Sequence, residues 1–432
     1  MKFARYCSAL LGLLCCSVVQ ADVLNIAPES VDAQAWLVLD TQSGQVIAQH
    51  QSDVQRAPAS LTKMMVAYIT LKDIQAGRLA LDEVITANDI VRVVKTDESR
   101  MKIKVGQQIS IDQLLAGLIV MSANDGALLL AKRISGDVPR FVERMNQEAK
   151  ALGMHNTHFE NPPGITMPNH YSTAKDLALL AQAVVKQTPH YLHYSKMPEF
   201  VYQDIHHHAT NLLLARDASV DGLKTGFTQA AGYNLALTAK RSQNIAFVPQ
   251  RRLIVLVLGT ENAQKRAEVA HRLLNVAYQY TRNELPIQPD QHIASIPVQH
   301  SKYTWFHVKA KAIAPVTVSL YPNTTPISLR EFDQTTQRLM VKDAEQKRVA
   351  IEPVNSVQLQ TKLHLPQQQL TAPLEQQLSL AQIEVYQGPE LLRRFEVHNQ
   401  VNLPSVSFMQ RSLDWLNDLV HGVVREAKIL VK

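Results

Sequence analysis

From Ala35 the chain reads Ala-Trp-Leu-Val-Leu-Asp, reaches the turn residues Ser43-Gly44 and resumes with Gln45-Val-Ile-Ala. Two such runs separated by turn chemistry predict a β-hairpin. Ser60 to Ala76 lacks Gly and Pro and carries Leu61, Met64, Met65, Tyr68, Ile69 and Leu71, the density expected of a buried helix. Ile111 to Met121 and Asp125 to Ile134 read as two more helices. Tyr171 to Gln187 opens on Ser172-Thr173 with Asp176 in its first turn, the chemistry of a helix start. Leu253 to Leu258 is a continuous apolar strand, and Ala263 to Tyr280 is a long helix. Helices combined with a mainly antiparallel sheet predict an α+β domain over residues 22–285.

The composition shifts at Pro286 to Pro289. Residues 286–402 are rich in Gln, Thr and Val, with strand-like stretches such as Tyr303-Thr-Trp-Phe-His-Val, Val316-Thr-Val-Ser-Leu-Tyr and Arg348-Val-Ala-Ile. Recurrent Pro and Asn/Asp between them predicts a small all-β sandwich. In residues 403–432, Met409, Leu413, Leu416, Val420, Val423, Ala427 and Leu430 recur at spacings of three and four, so an amphipathic helix is expected. Asp414 and Asp418 interrupt any spanning run, and Trp415 suits the headgroup region, which favours a helix lying on a membrane surface. The same spacing also fits packing on the body or against a second copy.

The first 21 residues carry Lys2 and Arg5, an apolar run from Cys7 to Val19, and small residues at the two positions read before cleavage in Val19-Gln20-Ala21. That run is shorter than the about 20 residues a membrane span needs, so a cleaved secretory signal is expected rather than an anchor. Leu14 before Cys15 fits a lipoprotein signal poorly. Cys7, Cys15 and Cys16 all fall in this segment, so the mature chain has no thiols, and core packing must stabilise it in an oxidising compartment. The formal charge of +6 becomes +4 without Lys2 and Arg5, since the segment has no Asp or Glu. This charge is dispersed, without the dense basic stripe of a nucleic-acid binder.

Three short motifs carry candidate chemistry. Ser60-Leu-Thr-Lys63 opens the first helix, where residues three apart share a face and an amine can stand beside a hydroxyl. Burial and a second cation would lower the Lys63 pKa and free the amine to act as a base. Ser122-Ala-Asn124 lies at a break between two apolar helices; its hydroxyl could relay a proton, and Asn124 could hold a substrate amide or Lys63. Lys224-Thr225-Gly226 falls on an edge strand before a turn and another strand. There an ammonium and a hydroxyl can bind a carboxylate, and Gly226 allows close backbone approach. Each motif alone is common. Their order, spacing and predicted context together match the set found in penicillin-interacting serine enzymes.

The chain thus resembles the D-alanyl-D-alanine carboxypeptidases among the low-molecular-mass penicillin-binding proteins. Leu152-Gly-Met-His-Asn-Thr-His-Phe-Glu-Asn-Pro, Tyr171-Ser-Thr-Ala-Lys-Asp-Leu-Ala and Val220-Asp-Gly-Leu-Lys-Thr-Gly with Ala231-Gly-Tyr-Asn extend the likeness over the mature chain. The resemblance implies a penicillin-binding/β-lactamase-like transpeptidase fold for the catalytic domain. It implies Ser60 as acyl-ester nucleophile, Lys63 as proton acceptor, Ser122 as proton shuttle and Asn124 as the group that orients the peptide. Lys224 with Thr225 would bind the terminal carboxylate, the Ser60 and Phe227 amides would form the oxyanion hole, and Arg252 would match a family arginine near the carboxylate pocket, although neighbouring Arg251 leaves the register open. Implied partners are peptidoglycan stem peptides, β-lactams as covalent inhibitors, and the inner membrane from its periplasmic side through the terminal helix; no cofactor is implied.

Departures are equally informative. Phe227 stands where members often have His, Ala123 where Gly is common, and Pro249-Gln250 looks like an altered hairpin. His206-His207-His208 cannot bind one ion together, because consecutive strand residues face opposite ways. His190-x-x-His193 lacks the glutamate and spacing of a zinc peptidase, and His155, His158 and His170 read as polar surface or loop residues. The competing functions are a murein endopeptidase, a β-lactamase (which would need a Glu-centred deacylating motif between Ser122 and Lys224) and a non-catalytic cell-wall binder.

Overall fold

The computed structural model describes residues 22–289, 291–301, 305–309, 314–365, 370–374, 379–398, 404–407, 409–413 and 428–429. Up to residue 285 its elements are β1 (Ala35–Asp40), β2 (Val46–His50), α1 (Lys63–Gln75), β3 (Val84–Thr86), β4 (Gln108–Ser110), α2 (Ile111–Val120), α3 (Asn124–Ser135) and α4 (Val138–Ala151). They continue with α5 (Ala174–Gln187), α6 (Tyr191–Ser195), β5 (Glu199–Tyr202), β6 (Ile205–His208), β7 (Val220–Thr228), β8 (Gly232–Ser242), β9 (Gln250–Thr260), α7 (Ala263–Tyr280) and β10 (Thr281–Glu284).

A five-stranded antiparallel sheet in the order β2-β1-β9-β8-β7 forms the spine. Strand alternation sorts its side chains into two layers. Leu37, Leu39, Ala236, Ile254 and Leu256 face a core shared with α1, α2 and α5, whereas Trp36, Val38, Leu235, Leu237, Val255 and Val257 face Ala270, Leu273 and Leu274 of α7. The unbroken apolar run at Leu253–Leu258 is a central strand covered on both sides. α1 is buried all round from Lys63 to Leu71, which explains its apolar density. The strand β7 stays at the sheet edge, with one side of its backbone open.

The expected hairpin, α2, α3, α5, β9 and α7 are all present. The α5 start is set by Thr173, whose side chain accepts from the Asp176 amide, and the α7 start by Asn262, which accepts from Lys265. The pattern above did not single out α4, capped by Asp137 with a proline in its first turn.

Beyond β10 the described residues are strand-rich: β11 (His292–Gln299), β12 (Trp305–Lys309), β13 (Val316–Ser319), β14 (Phe332–Asp333), β15 (Arg338–Lys342), β16 (Arg348–Ile351), β17 (Leu359–His364), β18 (Leu370–Thr371), β19 (Ser379–Gln387), β20 (Glu390–His398) and β21 (Lys428–Ile429). A third core gathers Ile293, Val298, Val316, Val318, Ile383 and Val385. The β14–β16 sheet does not join it: Ile327, Phe332, Leu339 and Ile351 pack into the α7 layer. The Ser43 turn is stitched to β13 by Ser43 Oγ–Thr317 Oγ1 at 2.7 Å and by the Gln45 amide, which accepts from Thr317 N at 2.7 Å. Residues 409–413 are helical, but Lys428–Ile429 pair antiparallel with β11. The expectation of one helix from Met409 to Leu430 is therefore corrected at its end, where backbone hydrogen bonds go to a strand; residues 414–427 lie outside the described residues.

Candidate active site

Ser60 does not begin the α-helix itself. Ala59–Thr62 form a 3₁₀ turn that runs into α1, and Ala59 adopts φ +50°, a left-handed conformation rare outside glycine. Strain of this kind is stored where a surrounding structure over-determines it. Here the constraint comes from two glycines. A Cβ on Gly164, itself at φ +82°, would lie 2.0 Å from the Ala59 carbonyl oxygen. A Cβ on Gly226 would lie 3.0 Å from the Ser60 nitrogen and 3.1 Å from the Pro58 oxygen. Gly226 is thus required first for strand β7 to close against the Ser60 turn, which sets the Gly226–Phe227 peptide alongside the Ser60 amide.

Lys63 begins α1 and is fully buried. Its Nζ stands 3.0 Å from Ser60 Oγ and donates to the Pro163 carbonyl at 2.6 Å. No carboxylate lies within ion-pair distance of Lys63 or Lys224 among the described residues, so both cations are buried unpaired. Burial drives the Lys63 pKa well below the ordinary ammonium range, with repulsion from Lys224 adding to it; Glu98 and Asp125 oppose the shift. Lys224 is 2% exposed, donates to the Thr225 carbonyl at 2.9 Å, and is pushed down to about 7 by burial and then by Arg266. One buried site thus holds an amine of strongly depressed pKa against a hydroxyl and a second amine pushed down to about 7.

The second motif sits where α2 ends and α3 begins, as expected. Ser122 has φ +66°, and its buried hydroxyl finds no hydrogen-bond partner among the described residues. Such a group costs free energy until something binds it. Asn124 Nδ2 donates to Glu98 at 2.6 Å and not to Lys63. Asp125 pins the same loop by accepting from the Met101 and Ile103 amides at 3.0 and 3.2 Å. Because Glu98 also acts electrostatically on Lys63, the loop and the second motif border the Ser60 cleft.

Thr225 hydrogen-bonds the Thr210 hydroxyl, and the Thr210 carbonyl accepts from Arg266 Nη2 at 3.0 Å. Arg252 is a correction: its guanidinium is taken up by Asp221 at 2.6 and 2.7 Å and by Thr238 at 3.0 Å. It lies four residues along β9 from Leu256, which shares the cross-strand level of Lys224, or about 13 Å at strand rise. Arg251 is buried against Asp40 at 2.6 Å. The cation beside Lys224 is Arg266, in the first turns of α7, with its guanidinium 5.7 Å from the Tyr233 ring and a buried Nε lacking a partner. It belongs to no motif, and only its position near the start of a helix following a central strand could have marked it.

Phe227 is half-exposed and lies against Tyr233 with ring centroids 4.3 Å apart. His170 is buried rather than at the surface. It accepts from the Glu160 amide at 3.1 Å through Nδ1, so Nε2 carries the proton toward Thr62 Oγ1 at 2.9 Å. His206 and His208 both approach Glu199 on an exposed hairpin, and His207 turns to the other face. No group of three or more metal-ligating side chains occurs among the described residues.

The family model described as D-alanyl-D-alanine carboxypeptidase matches residues 22–262. The D-alanyl-D-alanine carboxypeptidase DacA of Escherichia coli (strain K12) is 33% identical over 315 residues, 71% of this chain and 75% of that protein. DacC of the same organism is 34% identical over 288 residues, 66% of this chain and 70% of that one. Penicillin-binding protein 5 from Haemophilus influenzae superposes with a TM-score of 0.74 at 24% identity, covering 88% of this chain and all of that one, a likeness of fold. Penicillin-binding protein D2 from Listeria monocytogenes, solved in an ampicillin-bound form, gives 0.51 at 30% identity over 57% of this chain and 98% of that one.

Proposed function

The chain belongs to the family of serine-type D-alanyl-D-alanine carboxypeptidases, and from that premise we propose that it removes the terminal D-alanine of peptidoglycan stem pentapeptides through an acyl-enzyme on Ser60. The observation that carries the residue assignment is the 3.0 Å approach of Lys63 Nζ to Ser60 Oγ in a buried site whose second ammonium is Lys224. The Pro163 carbonyl takes one N–H of Lys63, leaving the lone pair of the neutral amine for the Ser60 hydroxyl proton.

In this reading Lys224, Thr225 and Arg266 receive the substrate carboxylate, which restores countercharge to two unpaired cations. Ser60 attacks the carbonyl of the penultimate D-alanine, and its proton passes to Lys63. The oxyanion forms against the Ser60 and Phe227 amides, an arrangement worth several kcal/mol in a water-poor site. Ser122 relays the proton to the leaving D-alanine amine, and Asn124 orients the peptide. Water then cleaves the ester. A β-lactam acylates Ser60 by the same route and leaves slowly.

The assay that tests this is labelling with a fluorescent penicillin beside release of D-alanine from a pentapeptide ending in D-Ala-D-Ala. Stable label together with release is expected. Rapid loss of label without D-alanine release would overturn the carboxypeptidase reading in favour of a β-lactamase.

The location is also proposed: export on the signal ending at Ala21, then residence in the periplasm against the inner membrane. Met409 and Leu413, exposed on the helical turn 409–413, support a surface-binding segment, and no helix among the described residues is long and apolar enough to cross a membrane. Truncation after Pro404 is expected to move the protein from the membrane to the soluble fraction. Unchanged fractionation would remove the anchor from the proposal.

A further inference from the structure

A groove of about 560 Å³ opens beside the Ser60 turn, lined by Arg56, Ala57, Thr166, Met167, His170 and Tyr171. Its walls belong to the active-site scaffold. Ala57 precedes Ser60 by three residues, and His170 holds Thr62. Thr166 Oγ1 meets Thr228 Oγ1 at 2.8 Å, at the end of β7. The Arg56 backbone is clamped by reciprocal hydrogen bonds with Ser172 at 2.8 and 2.9 Å. Its side chain is different. The guanidinium is partly buried, its Nε is shielded from water without a partner, and it makes no hydrogen bond or ion pair among the described residues. Burial lowers its pKa from the ordinary arginine value, as for a cation with no anion to offset desolvation.

The direction of the substrate connects this cation to the chemistry. In the carboxypeptidase reading, the carboxylate of the departing D-alanine sits at Lys224 and Thr225, and the scissile carbonyl at Ser60 beside Gly226. A peptide added to the open edge of β7 with that polarity runs antiparallel to it, so its upstream residues pass Phe227 and Thr228. Two residues past Gly226 is about 7 Å, which reaches the Thr166–Thr228 contact and the mouth of the groove.

We propose that Arg56 heads a second anion subsite, which binds a free carboxylate borne by the substrate on the upstream side of the scissile bond. The proposal rests on the carboxypeptidase reading above and adds a specificity element to it. A planar guanidinium suits a carboxylate through paired N–H donors, and the partial desolvation of the groove strengthens the contact.

The test compares two synthetic pentapeptides ending in D-Ala-D-Ala, one with a free side-chain carboxylate on the residue just before that pair and one with the same group as its carboxamide. The parent protein is expected to favour the carboxylate by about tenfold in kcat/KM, and Arg56→Gln is expected to erase that ratio. Arg56→Lys keeps the charge without the fork and recovers part of it. Gln55→Glu places a carboxylate at the groove from an exposed position and is expected to turn the preference toward the amide, which keeps the idea testable even where Arg56→Gln folds poorly. Release from both peptides without preference, or a preference that survives Arg56→Gln, overturns the subsite alone. Release from neither by the parent overturns the carboxypeptidase reading, and the subsite with it.

Discussion

Replacing Ser60 by alanine is expected to abolish penicillin labelling and to lower D-alanine release by about ten thousandfold or more. The size follows from the chemistry: without the hydroxyl no ester can form, and only binding and the oxyanion amides remain to act on a water molecule. The fold has little reason to suffer. Among the described residues the Ser60 hydroxyl makes one hydrogen bond, accepted from Lys63 Nζ, and the turn around it is held by the close approach of Gly164 and Gly226. Native circular dichroism with lost labelling is therefore the expected pair of results. A Ser60→Ala protein that still released D-alanine at the parental rate would place the nucleophile elsewhere.

Lys63→Met is expected to cost about a hundred- to ten-thousandfold in kcat/KM, the range of a positioned general base. Methionine fills a similar apolar volume, so the loss measures the amine rather than a cavity. The pH profile separates this role from mere packing. Lys63 must be neutral to accept a proton, so in the parent protein kcat/KM rises with pH as Lys63 deprotonates at its depressed pKa. Lys224 must be charged to hold a carboxylate, so kcat/KM falls as pH passes about 7, where the free-site ammonium is lost. A bound carboxylate stabilises that ammonium and raises its pKa, so kcat is expected to keep rising or level off where kcat/KM already falls. In Lys63→Met the acid limb should disappear and the basic limb remain. An unchanged acid limb would show that another group is the base.

Much of this architecture was legible because it is local. The α7 boundaries follow from Asn262 and an apolar face with helical spacing, and the Leu253–Leu258 run announces a strand covered on both sides. The spacing of Ser60 and Lys63 placed amine and hydroxyl on one face even though a 3₁₀ turn intervenes, since residues three apart also align there. Where reasoning from the chain missed, the missing quantity was a distance between segments. Arg251, Arg252 and Arg266 are equivalent as letters. The strand register sends the first to Asp40 and the second to Asp221, and the start of α7 brings the third to Lys224. His170 looked like a loop residue because nothing in its neighbourhood reveals that Thr62, 108 positions away, closes over it.

The hairpin, α1, α2, α3, α5, β9 and α7, and the three motifs with the groups they offer, were determined by the chain alone, because hydrogen-bonding caps and apolar periodicity act over a few residues. Tertiary structure decided how reactive those groups are. The depressed pKa values of Lys63 and Lys224 come from burial without an ion-paired carboxylate, the orientation of Lys63 from the carbonyl of Pro163, and the hold on Asn124 from Glu98. Desolvation and charge repulsion depend on what packs around a group in space, and no spacing along the chain encodes that.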